Sequence, residues 1–239
     1  MKKLILIFLT FVLLISGCNS NSKLKEVSND NTSERRVEPI KSPNSQGLKG
    51  SSQTTLTNLK DSETPRAVGK AVSGEILIIP TEADSIEQLG APSCLGTETD
   101  YSFKGNYKIV FKDLKGHTAD ISYYNGQIIA KDKSPISLGK LRFKDIEIFY
   151  FNPIPNLSRP ESVYIFGVDK NGKAFQLLFE YPDKVVESTA SSPNSIPQII
   201  DNLLVISTWD PEEGNYKLFF ELDTQKNALK FIKKEKGGL

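Results

Sequence analysis

Apolar and polar positions alternate over much of the chain after residue 74 and predict β-strands. In the segment 174–181, for example, Phe175, Leu177 and Phe179 lie two residues apart, which places their side chains on one face of an extended backbone. This alternation, or a short apolar run, predicts strands at 75–79, 107–111, 118–123, 127–130, 140–143, 146–151, 163–168, 175–181, 203–208, 216–222 and 228–233. The fold class that follows is mainly β, an antiparallel, hairpin-rich sheet arranged as a sandwich or an open barrel.

Turn and cap residues refine this fold. The dipeptides at 115–116 (Lys-Gly) and 125–126 (Asn-Gly) are hairpin-turn signals between predicted strands. Segment 82–89 predicts one short N-terminal helix, because Thr81 can cap its start and Gly90 can end it. The remaining segments favour a meander of strands joined by turns.

Two similar segments introduce an alternative fold. Segment 164–181 aligns without gaps with segment 205–222, which starts 41 residues later, and Asp169 falls opposite Asp210. Each predicts a strand, an Asp-initiated turn and a second strand, and segment 109–123 looks like a looser third hairpin. A period of about 40 residues is typical of β-propeller blades, so a small propeller-like array is the alternative to a sandwich or open barrel.

The segment Gly167-Val-Asp-Lys-Asn-Gly-Lys-Ala174 is close to a phosphate-binding loop. Such a loop needs a Ser or Thr after its Lys, to bind magnesium, and then a helix. Here Lys173 is followed by Ala174, and the alternation beyond it predicts a strand. A hairpin turn is therefore the better interpretation, and no nucleotide-hydrolysing site is predicted.

The N-terminal residues predict export from the cytoplasm. Lys2 and Lys3 precede an apolar segment at 4–15, which is shorter than the roughly 20 residues that a membrane-spanning helix needs. A positively charged start followed by a short apolar run is typical of a signal peptide. We expect residues 1–17 to be removed from the mature protein.

Residues Ile15-Ser16-Gly17-Cys18 resemble the lipobox of bacterial lipoproteins, in which an aliphatic residue and two small residues precede a cysteine. The resemblance covers residues 1–18 only. It implies that the Cys18 thiol receives a diacylglycerol, that cleavage occurs before Cys18, and that the chain is held on the extracytoplasmic face of a membrane. Two acyl chains are enough for stable anchoring. Ordinary secretion with a free Cys18 thiol is the alternative.

Residues 18–72 are expected to join this lipid to a single domain at 73–239 as a disordered tether. Segment 19–72 is rich in Ser, Asn, Thr and Lys, so it can bury too little apolar surface to offset chain entropy. It carries nine Lys or Arg against six Asp or Glu, whereas residues 73–239 carry nineteen against twenty-three. We therefore expect an anionic leaflet to attract the tether and to repel the domain.

Residues that commonly carry catalysis are scarce. His117 is the only histidine, and Cys94 is the only cysteine besides Cys18, so no multi-ligand zinc site and no histidine-based triad is predicted. We interpret His117 as an exposed strand residue and Cys94 as a buried or half-buried thiol. The 30 Lys and Arg nearly balance the 29 Asp and Glu, so nucleic acid is not an expected partner. No catalytic residue, metal or cofactor is predicted.

One segment is a candidate for ligand binding. Trp209 is followed by Asp210, Glu212 and Glu213 in the turn of the second similar segment. An aromatic ring beside carboxylates suits a sugar or a cationic peptide. The alternative is a solvated acidic turn whose Trp209 closes the core.

These observations favour a membrane-anchored lipoprotein that acts as a non-enzymatic binding or scaffold module of the cell envelope. Its expected partners are the membrane, through the N-terminal lipid, and an envelope protein or glycan. Two alternatives stay open. A carboxylate-dependent hydrolase of cell-wall glycan would need two close carboxylates in a cleft, and an accessory subunit of a transporter or envelope complex would need an exposed apolar patch.

Overall fold

A computed structural model describes residues 64–155, 160–193 and 195–237 of the chain. The predicted signal peptide at 1–17, the predicted lipidation site Cys18 and the predicted tether up to residue 63 lie outside these ranges. Within them the chain forms strands and turns, and no helix is long and apolar enough to cross a bilayer. The strands are β1 (Ala67–Ala71), β2 (Gly74–Pro80), β3 (Ser85–Gln88), β4 (Tyr101–Asp113), β5 (Thr118–Ala130), β6 (Ile136–Ser137), β7 (Gly139–Phe143), β8 (Ile146–Phe151), β9 (Glu161–Val168), β10 (Ala174–Glu180), β11 (Val185–Val186), β12 (Ser188–Ser191), β13 (Gln198–Ile200), β14 (Leu203–Asp210), β15 (Gly214–Asp223) and β16 (Ala228–Lys236).

Strands β1 to β6 form the first sheet, which is built around the long strand β4. β5 pairs with β4 along one edge, and β2 and β3 follow one another along the other edge. β1 pairs with β2, and β6 adds to β1 in the parallel direction. Because β2 and β3 share one edge of β4, the residues between them, 81–84, cross the middle of that edge.

Strands β7 to β16 form the second sheet. Its order is β13-β14-β15-β16-β10-β9-β8-β7, with β11 and β12 added to β10 and β9. β10 and β16 pair in parallel, and the other pairs are antiparallel. β7 and β13, at the two ends of this order, lie against each other. The second sheet therefore curls into a nearly closed barrel.

Two strands of the barrel, β8 and β9, are buried on both faces. Phe149 and Phe166 pack in the core between the two sheets, whereas Ile148 and Ile165 pack inside the barrel. All four residues are 0% exposed. A strand covered on both sides has a continuous apolar run and no alternation, as 148–151 of β8 and 163–168 of β9 do. These strands are therefore a layer shared by two hydrophobic cores.

The prediction of a mainly β, largely antiparallel fold is confirmed, and all eleven predicted segments are extended, although 118–123 and 127–130 belong to one strand, β5. The fold combines the two arrangements expected, because one sheet packs on the outside of a nearly closed barrel. The hairpin turn at 115–116 also forms, and Gly116 has the positive φ of 89° that favours glycine.

The predicted short helix at 82–89 is wrong. Ser85–Gln88 form β3 and pair with the start of β4, and Ile86 packs against the core of the first sheet. Thr81 does not cap a helix, because its backbone N–H and its hydroxyl both donate to the Asn106 carbonyl, at 2.9 and 3.1 Å. Pairing along β4 overrides the weak local preference for a helix.

The predicted turn at 125–126 is also wrong, because both residues lie inside β5. Gly126 faces Gly105 across the β4–β5 ladder. A Cβ on Gly126 would lie 2.6 Å from the Tyr124 hydroxyl oxygen, and one on Gly105 would lie 2.9 Å from the Asp84 Cβ. Both glycines therefore make room for packed side chains.

The folded domain begins before the predicted boundary at residue 73, since β1 lies within the predicted tether. Its residues are small and only weakly apolar, so composition gave little indication of a strand. The strand is fixed by its neighbours β2 and β6. Gly69 is needed there because a Cβ would lie 2.7 Å from the Phe149 ring.

The propeller-like alternative does not describe the second sheet, although both similar segments form hairpins. β10 and β16 are parallel, and β14 is joined to β16 through the antiparallel strand β15, so β10 and β14 run in the same direction. One hairpin turns at the start of β10 and the other at the end of β14. The two turns therefore lie at opposite ends of the sheet, whereas propeller blades would place equivalent turns on one face.

Candidate ligand-binding site

An open cleft of about 670 Å³ lies where the β4–β5 side of the first sheet meets the second sheet. Its lining combines aromatic rings with amide, hydroxyl and carboxylate groups. The lining residues are Thr81, Asn106, Tyr107, Tyr123, Tyr124, Asn125, Tyr164 and Glu187. We call this feature the tyrosine cleft.

Tyr124 is the centre of its aromatic wall. The Tyr124 ring stacks with Tyr107 at 5.9 Å between centroids and meets the Tyr164 ring edge-on at 5.4 Å. Phe151 supports Tyr124 from the core, with its ring perpendicular at 5.6 Å. Aromatic rings at these separations attract one another, which holds the wall in one arrangement. Tyr123, on the opposite face of β5, is 64% exposed at the mouth of the cleft.

A polar border lies beside this wall. Asn106 and Asn125 face each other across β4 and β5, and the Asn125 amide donates to the Asn106 side-chain oxygen. The Asn106 amide in turn donates to Glu82 at 3.0 Å. Glu187 adds an exposed carboxylate from the second sheet. The border thus offers amide and carboxylate groups within reach of the aromatic rings.

A buried ion pair lies beneath the cleft. The Arg66 guanidinium donates two hydrogen bonds to the Asp84 carboxylate, at 2.8 and 2.7 Å, and the two side chains are only 5% and 2% exposed. The Tyr107 hydroxyl donates to the same carboxylate at 3.1 Å, and the guanidinium lies 4.8 Å from the Phe103 ring centroid. A bidentate pair of charge-assisted hydrogen bonds of this kind is both strong and directional. Asp84 therefore fixes the Tyr107 ring at the floor of the cleft.

The strand order explains how Asp84 reaches this position. Asp84 ends the segment that joins β2 to β3 along β4, and Gly105 of β4 leaves the space for it. Arg66 immediately precedes β1, two strands away from β4. The ion pair therefore ties the start of the domain to the middle of the first sheet.

Three phenol groups of the cleft, those of Tyr107, Tyr124 and Tyr164, are held in their neutral form. Burial raises the pKa of the Tyr107 hydroxyl far above its usual range, and the negative charge of Asp84 adds to this rise. Burial likewise raises the pKa of Tyr124, although its hydrogen bond to the Gln127 carbonyl, at 2.8 Å, opposes part of the change. Burial also raises the pKa of Tyr164. These groups can contact a ligand through ring faces and neutral dipoles.

The four residues predicted as a ligand surface lie together at the end of β14 (Trp209 and Asp210) and in the β14–β15 turn (Glu212 and Glu213), away from the tyrosine cleft. The Asp210 carboxylate caps this turn by accepting the N–H groups of Glu212 and Glu213, at 2.8 and 3.1 Å. Trp209 is 39% exposed, and Glu213 forms an ion pair with Lys234. The predicted ligand surface is therefore present as one patch. However, two of its three carboxylates, those of Asp210 and Glu213, already have partners within the fold.

A second, cationic cleft of about 420 Å³ adjoins this turn. It is lined by Glu213, Tyr216, Lys234 and Lys236. The Lys234 ammonium lies 4.0 Å from the Tyr216 ring centroid. The two lysines change the character of the predicted acidic surface, because their charges offset those of the turn.

His117 and Cys94 were the other residues considered for chemistry. His117 is exposed, as predicted, but it lies in the turn between β4 and β5 and not in a strand, and its Nδ1 lies 2.9 Å from Asp113. Cys94 is exposed, so the prediction of a buried or half-buried thiol is wrong. It lies between β3 and β4 outside both cores. Among the described residues, no group of three or more His, Cys, Asp or Glu side chains is arranged to hold a metal ion.

The tyrosine cleft itself was missed at the sequence level. Its signal is the pair of segments Asn106-Tyr107 and Tyr123-Tyr124-Asn125, which flank the turn at 115–116. Counting residues outward from that turn along β4 and β5 does not give the correct pairing of these two segments. A bulge between Ile109 and Val110 shifts the register of the two strands by one residue. The bulge places Tyr107 opposite Tyr124, so both rings point to the same side.

Replacing Asp84 with Asn tests the support of the cleft. We expect Asp84→Asn to lower the free energy of unfolding by about 3–5 kcal/mol, because the buried Arg66 guanidinium would lose the carboxylate that accepts two of its hydrogen bonds. Glu87→Gln is the matched control: Glu87 pairs with Lys104 at 3.7 Å, both side chains are more than half exposed, and the change should cost less than about 1 kcal/mol. Denaturant unfolding measures both. Similar stabilities for the two variants would contradict the role given to Asp84.

The chain was also compared with known proteins. No protein-family model, no curated protein and no solved structure matches it. The chemistry of the site is therefore inferred from the residues of the two clefts.

Proposed function

We propose that this chain is a membrane-anchored extracytoplasmic lipoprotein whose β domain is a non-enzymatic binding module of the cell envelope, with the tyrosine cleft as its ligand site. The anchor rests on the lipobox-like residues 15–18 and the apolar segment before them. The binding role rests on the cleft. Ligand sites combine apolar walls with a few placed polar groups, and the tyrosine cleft has this composition.

The main support for the binding role is that the hydroxyls of three tyrosines in the cleft are already hydrogen-bonded within the fold. Tyr107 donates to Asp84, Tyr124 donates to the Gln127 carbonyl, and Tyr123 lies 3.2 Å from Asp120. These hydroxyls are engaged by the fold, so the rings are fixed and present their faces and edges. A preorganised aromatic surface loses little conformational entropy on binding.

An envelope glycan is the ligand class that suits this surface best. The C–H faces of sugar rings pack on aromatic side chains, and sugar hydroxyls pair with amides and carboxylates such as those of Asn106, Asn125 and Glu187. The buried carboxylates of Asp84 and Asp100 both serve the fold: Asp84 binds Arg66, and Asp100 accepts the Thr97 N–H at 2.9 Å. A binding role therefore fits better than hydrolysis.

Binding of soluble cell-wall glycan fragments tests the site. Tyr123→Ala should weaken binding about tenfold or more, because an aromatic anchor at a binding surface commonly contributes about 2 kcal/mol. Tyr123 is exposed, so the fold should tolerate the change. Trp209→Ala serves as the comparison. If Trp209→Ala weakens binding and Tyr123→Ala does not, the β14–β15 turn is the ligand surface; if fragments are hydrolysed, the glycan-hydrolase alternative replaces this proposal.

Fractionation of cells tests the anchor. Cys18→Ala should move the protein from the membrane fraction to the soluble or unprocessed fraction, because the lipid attachment point is lost. Membranes are washed at high salt, which removes weak electrostatic contacts. Retention of Cys18→Ala in washed membranes as a processed chain would contradict lipid anchoring.

A further inference from the structure

Four hairpin turns meet at one end of the domain. They are the β1–β2 turn (residues 72–73), the β4–β5 turn (114–117), the β7–β8 turn (144–145) and the β9–β10 turn (169–173). Val72, Ser73, Asp145 and Asp169 line a common cavity, and the first residue of β2, Gly74, pairs with the last residue of β4, Asp113. We call this region the four-turn end.

Two large apolar side chains project from it into solvent. Val72 is 82% exposed and Leu114 is 80% exposed, the highest values among the large hydrophobic residues of the described ranges. They extend from adjacent turns of the first sheet. Exposed apolar side chains that lie together at one end of a domain are typical of a contact surface.

Both turns are fixed by hydrogen bonds. The Asp113 carboxylate accepts the N–H groups of Lys115 and His117, each at 2.8 Å, and this holds the loop that carries Leu114. The Val72 N–H donates to Glu147 of β8 at 2.8 Å. Ordered turns therefore hold the two apolar side chains in place, so these side chains lose little further conformational entropy when they enter a contact surface.

The charges around these side chains are mostly positive. Segments 70–75, 112–117, 140–147 and 169–173 together contain eight Lys or Arg and five Asp or Glu, whereas the rest of 64–239 contains thirteen Lys or Arg and eighteen Asp or Glu. Several of the five carboxylates are engaged: Glu147 pairs with Lys140 at 2.5 Å, and Asp169 accepts two N–H groups of its own turn. The domain thus has one cationic end and a negatively charged remainder.

We propose that the four-turn end docks on the anionic lipid surface, with Val72 and Leu114 entering the interface and the surrounding lysines facing the lipid headgroups. This inference rests on the proposed lipid anchor at Cys18. Two apolar side chains and a modest positive charge bind a bilayer only weakly. A chain already attached to that bilayer has a high effective concentration near it, so weak docking is enough to hold an orientation.

Docking would set the position of the tyrosine cleft. β4 runs from Asp113 at the four-turn end to Tyr107 in the cleft, and six residues of strand span about 20 Å. The cleft would then lie above the membrane surface, and the negatively charged remainder of the domain would be kept away from the lipid. The sequence led us to expect that an anionic leaflet repels the whole domain. Docking would make the four-turn end the exception.

Tryptophan quenching by brominated lipids tests this orientation. The lipidated full chain is placed in vesicles of phosphatidylglycerol and phosphatidylcholine with bromine on the acyl chains. Leu114→Trp puts the probe on the proposed docking surface. Val185→Trp is the matched control, because Val185 is also exposed, at 58%, but lies in β11 beside the end of β10. The natural Trp209 lies near the end of β14 and gives a common background.

We expect Leu114→Trp to be quenched at least about twofold more than Val185→Trp, because interfacial side chains enter by about 5–10 Å. Raising the salt to about 0.5 M, where the Debye length is about 4 Å, should reduce this difference. Equal quenching of the two variants overturns the docking proposal, and so does an unchanged difference in vesicles of phosphatidylcholine alone. Failure of the natural chain to remain with the vesicles after a salt wash contradicts the anchor instead.

Discussion

The two-sided burial of β8 and β9 is the constraint on which the rest of the structure depends. Phe149 and Phe166 face the first sheet while Ile148 and Ile165 face the barrel interior, and each side chain is fully buried. Neither core would be closed without these strands. Burial of a large side chain contributes about 1.5–3 kcal/mol, so this shared layer couples the stability of one sheet to that of the other.

The same layer determines where a ligand can bind. The first sheet covers β8 and β9 through Phe149 and Phe166, but near Tyr164 its β4 and β5 strands leave an open cleft. The Tyr124 ring bridges the two sheets at that point by its contacts with Tyr107 and Tyr164. The buried Arg66–Asp84 pair then orients the floor of the cleft. Packing creates the opening, and the ion pair gives it a defined shape.

Local pattern was sufficient for the fold class and insufficient for the site. Strands such as 146–151 and 163–168 were predictable because they are rich in apolar residues and bounded by turns. Segment 82–89 and the dipeptide at 125–126 were not, because both pair with β4, a partner that is distant in sequence. The tyrosine cleft depends further on a one-residue bulge at Ile121 of β5, which no local pattern indicates.

Native-state hydrogen exchange tests the shared layer most directly. If β8 and β9 belong to both cores, the slowest amides of β2, β4, β8, β9 and β15 should exchange through one global opening, with equal free energies and equal denaturant dependence. Slow exchange in the barrel strands together with a separate, lower-energy opening of β2 and β4 would contradict this account, because the first sheet would then unfold while β8 and β9 stayed intact.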